Sequence, residues 1–340
     1  MRYRKRKTVS LLNESEQSVF VDVLGNWFLL RGEIVRVLVR DLLSYLEEPH
    51  SWEEILQRFS SLESISEKEI NEVLVQLVQL GVVEEYDEEL ENLSSDEKKN
   101  LSGVLNFFHL FTPYLEEKRG LSYLRRLQSS SVVVIGRGML HEKVVGLLRE
   151  NGVGEVLVSN IPEHDDEFWR GKALDLIRKT HLAIVIGGKQ NYGWFLRWND
   201  VAIKEKRAVL YVEEDWTGGI VGPLVIPGET ACYQCYVDRR QSTDDNESVY
   251  QLMKAEQEIS SRSTDFAPIG WFLASMVVLE GMKFLSWYLY PETLRGVFLV
   301  DAVNYRIHFH PVLKLPYCER CGYVDRISPQ MVWREEDRGV

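Results

Sequence analysis

The sequence predicts an α/β protein of two folded parts: a small winged-helix-like module, then a doubly wound, mostly parallel sheet domain. Three observations carry that prediction. Residues 18–86 read strand, strand, three helices, strand; from Ser131 onward apolar strands alternate with helices; and all four cysteines fall into two CxxC pairs toward the ends of one long segment. At 340 residues the chain is long enough for two or three domains, since single cores seldom grow past roughly 250 to 300 residues. Its 45% hydrophobic and 27% charged residues are those of a soluble globular protein, and no N-terminal apolar run reads as a signal peptide, so a cytoplasmic location is expected.

The first module spans residues 1–90. Ser18–Leu24 and Trp27–Gly32 flank Gly25-Asn26, a pair that tolerates the positive φ of a tight turn, and predict an antiparallel hairpin. The stretch EIVRVLVRDLLSYLEEP follows as an amphipathic helix stopped before Pro49, and Ser51 caps a short helix, WEEILQRF. A third helix opens on Ser66, with Glu69 completing a capping box; Ile70, Val73, Leu74, Leu77 and Val78 form one stripe before Gly81 ends it. VVEEY then returns as a strand. The basic start MRYRKRK has five basic residues in its first seven and reads as a solvated end.

Residues 91–128 read as a connector carrying a helix, and 129–340 as the sheet domain. There SVVVIG is a buried strand, Gly136 and Gly138 a turn, and the following residues a helix to Gly152. EVLVSN, LAIVIGG and AVLYVEE are further strands, with helices between them. Such alternation predicts a parallel sheet with a ligand crevice at its carboxyl edge. The apolar window Pro268–Tyr290 is almost long enough to span a bilayer, but Glu280 and Lys283 near its middle are costly in hydrocarbon. Three residues apart, they share a helix face and can pair, so a buried helix and no membrane partner are expected.

With 40 Lys and Arg against 52 Asp and Glu, the net charge of -12 argues against a nucleic-acid partner. The third helix, with one Lys and three Glu, is a poor recognition helix for a polyanion.

Cys232, Cys235, Cys318 and Cys321 supply two chelating pairs, which together match a four-thiolate structural zinc site; two redox dithiols are the rival reading. A closed site of this kind leaves no open position for substrate. His308 and His310, alternating on a nearby strand, read as surface residues once four thiolates fill the tetrahedron. His141, a lone histidine at the Gly turn, is either a general base or structural. EEDWTGG, from Glu213, lies at a strand's carboxyl end, where ligands bind in such sheets; a solvated loop is its plainer reading.

GPLVIPGETACYQCY, LEGMKFL, VFLVDAVNYRIHFHP read as a strand, and CERCG together resemble the adenylating ThiF and ubiquitin-activating-enzyme superfamily, from about Ser129 to Tyr323. Within it the chain is similar to the cyclodehydratase-associated branch from the biosynthesis of thiazole/oxazole-modified microcins. Residues 1–90 resemble the PqqD-like recognition element with which such proteins bind a precursor's leader peptide. The resemblance implies a YcaO-type cyclodehydratase partner and a homodimer, with the apolar helix near the interface.

Departures from the family pattern bear on chemistry. Active members carry a GxGGxG turn that wraps ATP phosphates; here it reads Gly136-Arg137-Gly138-Met139-Leu140-His141, with Met139 and Leu140 expected to crowd the phosphate path. Acids that hold ribose and magnesium in relatives are replaced by Ser159-Asn160 and Gly187-Gly188, while Arg197 and Asn199 resemble residues of the ATP-site helix. The resemblance therefore implies a degenerate nucleotide site of Gly136, Arg137, Gly138, Arg197 and Asn199, with ATP not bound by this chain. No cysteine lies between Tyr236 and Ala267, which removes the thioester branch.

Three function classes follow: a leader-binding scaffold beside a YcaO-type subunit, an MccB-like enzyme adenylating a peptide carboxyl end, and a winged-helix nucleic-acid binder. The departures favour the first. For leader capture, the last hairpin strand offers an open edge, and Phe28, Leu29, Leu30, Arg31, Asn71, Val75 and Val78 are expected to line the groove.

Overall fold

The computed structural model describes residues 1–60, 65–86, 99–110, 120–160, 168–169, 171–188, 191–242 and 266–322. The acidic stretch after Tyr86 and the FTPYLEE segment of the connector lie outside the described residues. Two compact units emerge, Met1–Leu124 and Arg125–Val340.

In the first unit, strands β2 (Ser10–Ser15), β3 (Ser18–Val23) and β4 (Asn26–Arg31) form one antiparallel sheet in that order. Val23 lies opposite Asn26, so the turn consists of Leu24 and Gly25, one residue earlier than the sequence suggested. Both have positive φ, 55° and 81°, the pairing that matches strand twist in a two-residue hairpin. A π-helical turn (Val35–Val39) leads into α1 (Arg40–Tyr45), followed by β5 (His50–Ser51), α2 (Trp52–Phe59), α3 (Glu67–Gln79) and β6 (Val83–Tyr86). Both capping boxes form: Ser51 with Glu54, and Ser66 with Glu69. Val19, Val21 and Val23 from β3, Leu38, Leu42 and Ile55, and Ile70, Leu74 and Leu77 from α3 close one core.

The basic start is no solvated end. Arg2–Lys5 is β1, the middle strand of a second sheet ordered β5-β1-β6. Its charge is met across the strands: Arg4 lies opposite Glu84 and donates to its Oε1 at 2.7 Å, and Lys5 pairs with Glu47. Arg6, buried, has its Nε 3.5 Å from Glu84 Oε2 and donates to the Leu110 carbonyl. The acids that turn a basic tail into a strand lie 42 and 80 residues away, beyond the reach of local pattern reading.

After α4 (Ser102–Leu110), α5 (Gly120–Gln128) runs across the division into the second unit. That unit is a seven-stranded sheet ordered β13-β12-β11-β10-β9-β7-β8. Four strands are parallel: β7 (Ser131–Ile135), β8 (Glu155–Ser159), β9 (Leu182–Gly188) and β10 (Ala208–Asp215). β11 (Gly218–Val225), β12 (Gly296–Asp301) and β13 (Arg306–Pro311) extend them as an antiparallel meander. VFLVDAVNYRIHFHP, expected as one strand, is thus the β12–β13 hairpin.

The strand pleat sends alternate residues to two helix layers. Val133, Ile135, Ala183, Val185, Val209 and Tyr211 share a core with α8 (Tyr192–Glu205) and α9 (Tyr233–Gln241), and α7 (Lys172–Arg178) packs on α8. On the other face Leu182 and Ile184 meet Gly281 of α10 (Ala267–Ser286), which packs on α6 (Met139–Glu150). α10 is long and apolar enough to cross a membrane by composition, but 61% of its apolar window is buried in this unit. Lys283 donates to Glu280 Oε1 at 2.7 Å as expected, and Glu280 Oε2 accepts from the amide and hydroxyl of Thr293.

Candidate functional site

Cys232 is the N-cap of α9 and Cys235 lies in its first turn, while Cys318 and Cys321 stand on a turn beyond β13. All four are buried and their sulfurs lie within 4.8 Å of one another. Measured separations are 3.8 Å for Cys232 to Cys235, 3.6 Å for Cys232 to Cys318 and 3.4 Å for Cys235 to Cys321. A tetrahedral zinc with sulfur at about 2.3 Å needs sulfur edges of about 3.8 Å. These distances fit that ion and far exceed a disulfide bond of about 2.05 Å. Hydrogen bonds from the neighbouring thiols, Cys232 foremost, hold the Cys235 thiol well below its ordinary range. The Leu315 amide donates to Cys235 Sγ at 3.4 Å, the outer-shell bond a thiolate ligand attracts.

The inner residues of the two pairs also touch. Arg320 Nε donates to Gln234 Oε1, and Arg320 pairs with Asp200 of α8. Sequence reasoning missed this latch, although its members sit between the cysteines it identified.

At the carboxyl edge, β7 connects to β8 on one side while β9 lies on the other, the topological switch point. Gly136 is required there by close approach: a Cβ would stand 2.9 Å from the Ile186 carbonyl oxygen. Gly138, with φ 89°, starts α6 without a side-chain cap. Leu140 is fully buried and Met139 lays its thioether against Gly270 of α10, so these side chains serve packing, a correction to the expected obstruction. His141 is buried against the Val134 carbonyl, and burial pushes its pKa below 6.5, the setting of a structural histidine. The residues described at the ends of β7, β8 and β9 carry no carboxylate, and Gly188 N is bound by Asn191 Oδ1 at 2.7 Å. Among these described residues no side chain is suited to hold magnesium.

Arg197 and Asn199 part company. Arg197 is exposed and lies over the Trp169 ring, whereas Asn199, wholly buried, accepts from Tyr233 N at 2.9 Å and so anchors the cysteine-bearing helix. Asn199 therefore supports the cysteine cluster, a role with no local sequence signal.

EEDWTGG is not a solvated loop either. Glu213 and Glu214 are buried, and Glu213 accepts from Tyr233 Oη at 2.9 Å and pairs with Arg240 at 2.9 Å. Asp215, Trp216 and Thr217 reach solvent at the hairpin turn, beside a cleft of about 300 Å³. His308 and His310 are exposed, as expected.

On the first unit, β4 pairs with β3, and among the described residues no strand pairs with its other edge. Hydrogen-bonded pairs alternate along such a hairpin, starting from the pair that closes a two-residue turn. Val23–Asn26 is that pair, and the Gly32 amide bonds to the Gln17 carbonyl at the other end. Asn26, Phe28 and Leu30 therefore face β3, and the amides of Trp27, Leu29 and Arg31 face outward. Of the expected groove residues, Phe28, Leu30 and Val78 pack against the core, while Arg31, Asn71 and Val75 are exposed and Leu29 is half-buried.

No protein-family model matches the chain, and no curated protein matches it. Solved structures do share its fold. E. coli MccB is similar with a TM-score of 0.68 at 16% identity, covering 98% of this chain and 100% of its own. MccB with AMPCPP and MccA gives a TM-score of 0.68 at 16% identity, over 95% of this chain and 100% of that one. A heterocyclase in complex with substrate and cofactor gives 0.65 at 16% identity, over 94% of this chain but 39% of its own. The chain thus shares the fold of MccB.

Proposed function

We propose that this chain is a leader-peptide-binding scaffold in the biosynthesis of an azoline-containing ribosomal peptide, presenting the precursor to a separate YcaO-type, ATP-dependent cyclodehydratase subunit. The open β4 edge, with three amides aimed outward, carries the reading. MccB complexes hold MccA, and the heterocyclase holds substrate, so peptide handling accompanies this fold. The chain covers 39% of the heterocyclase's length, and the proposed YcaO-type subunit would correspond to the remainder. The cysteine tetrad holds one structural zinc, and α10, which exposes Trp271, Leu279 and Trp287, contributes to a homodimer visible by light scattering.

MccB-like adenylation of a peptide carboxyl end is the second reading. It is favoured by full coverage of MccB and the uncapped start of α6 beside Arg137. The described ends of β7, β8 and β9, which carry no carboxylate, weigh against it.

The test is fluorescence polarisation of a labelled leader peptide from a precursor encoded beside this chain. Full-length protein binds it, and protein lacking residues 1–90 does not. Equal affinity for both would refute the assignment.

A further inference from the structure

We infer that the outer face of the hairpin sheet reads the bound peptide too, selecting a segment with two apolar side chains two residues apart and an acidic one two residues further on. The inference rests on strand addition to β4. It concerns the sheet face opposite the core.

The pleat couples backbone to side chain. Trp27, Leu29 and Arg31 offer the outward amides, so their side chains share one face, opposite Phe28 and Leu30, which pack inward. On that face Leu12, Phe20 and Leu29 stand directly across from one another on three successive strands. Trp27 adds to the row, its ring edge-on to Phe20 at 6.5 Å. Leu12 is 56% and Trp27 50% exposed, so this is an apolar ladder in water that runs to an open edge.

A strand added to β4 must continue the ladder. The residue paired with Leu29 lands on the same face about 5 Å away, and its neighbours two before and two after land beside Trp27 and Arg31, whichever way the peptide runs. Beside Trp27 and Leu29 an apolar side chain leaves water. Arg31 makes a 3.6 Å, solvent-exposed contact with Glu14, of the kind worth little in water, so an acidic peptide side chain can take it over. A second copy pairing antiparallel about Leu29 would set Arg31 against Trp27 and supply no acid, which makes a peptide the better occupant.

The experiment pans a random decapeptide display library on immobilised full-length protein. Selected peptides are then made with a fluorescein label and titrated by polarisation. Selected sequences should show apolar-x-apolar-x-acidic in either direction. Leu29→Pro removes an outward amide and should abolish binding. Trp27→Ser with Leu29→Ser keeps every amide and should weaken binding about tenfold or more. Arg31→Glu should transfer preference from an acidic to a basic residue at the third position. Unchanged zinc content and melting show that variants are folded; should Leu29→Pro fail this, N-methylation of alternate amides in the peptide tests the same bonds.

Binding that survives both the proline and the N-methylated peptides, or a library without binders, overturns strand addition itself. Loss with proline but a change within about twofold for the double serine variant overturns the face-reading alone. So does a peptide-free protein whose doubled mass by light scattering is abolished by the serine pair, since a second copy then covers the face.

Discussion

Arg320 Nε donates to Gln234 Oε1 at 3.1 Å, tying together the inner residues of two cysteine pairs that lie 86 positions apart. A latch of this kind orients the thiolates before metal arrives. Arg320→Ala should therefore release zinc to a colorimetric chelator some 10- to 100-fold more readily, the usual scale for outer-shell partners. Cys318→Ser should go further and unfold the second unit, because structural zinc contributes on the order of 10 kcal/mol. Metal analysis finding no zinc in freshly purified, reduced protein would end this account.

Glu84 meets both Arg4 and Arg6 at the edge of the first unit's core. Glu84→Ala leaves two poorly solvated guanidinium groups without their shared carboxylate and should cost about 3 to 5 kcal/mol. Urea titration followed by far-UV circular dichroism reads the change. An unaltered midpoint would show that β1 contributes little to the module.

The isolated chain should not catalyse ATP–pyrophosphate exchange with a cognate peptide. Gly187 and Gly188 end β9 where relatives are expected to place the magnesium-binding acid, and Ser159-Asn160 end β8. Robust exchange would favour the MccB-like reading.

His141 predicts a pH effect whose sign is fixed by burial. The fold lowers its pKa from 6.5, so the unfolded chain takes up the proton first. Stability from this residue is complete above about pH 6.5 and falls as pH drops below it. His141→Gln should flatten the loss of melting temperature between pH 7 and 5; an identical slope in both proteins would assign the acid sensitivity elsewhere.

How much of this was legible in the sequence depends on how local each cause is. Ser66 with Glu69 acts over three residues and was read as a capping box, whereas at Ser51 only the cap was read, although Glu54 completes a box there too. The strand-turn-helix at Ser131–Glu150 and the paired cysteines were equally plain. Arg4 finds Glu84, Asn199 finds Tyr233 and Glu213 finds Arg240 only after the chain has folded, so a basic tail, an ATP-site relic and a solvated loop were each read for what lies beside them in sequence. The ladder Leu12–Phe20–Leu29 was hidden for a similar reason, because β2 carries little alternation of its own.

The central place of β1 also sets an order of events during synthesis. Its partners, β5 at His50–Ser51 and β6 at Val83–Tyr86, are both encoded later, so β1 lacks its full sheet until residue 86 has been made. Until then a strand with three basic side chains among its four residues keeps its β6 edge turned to water, and its charge disfavours pairing with other nascent chains. The basic stretch is in this sense a delay: it holds this sheet unfinished until β6, its last strand, has been made.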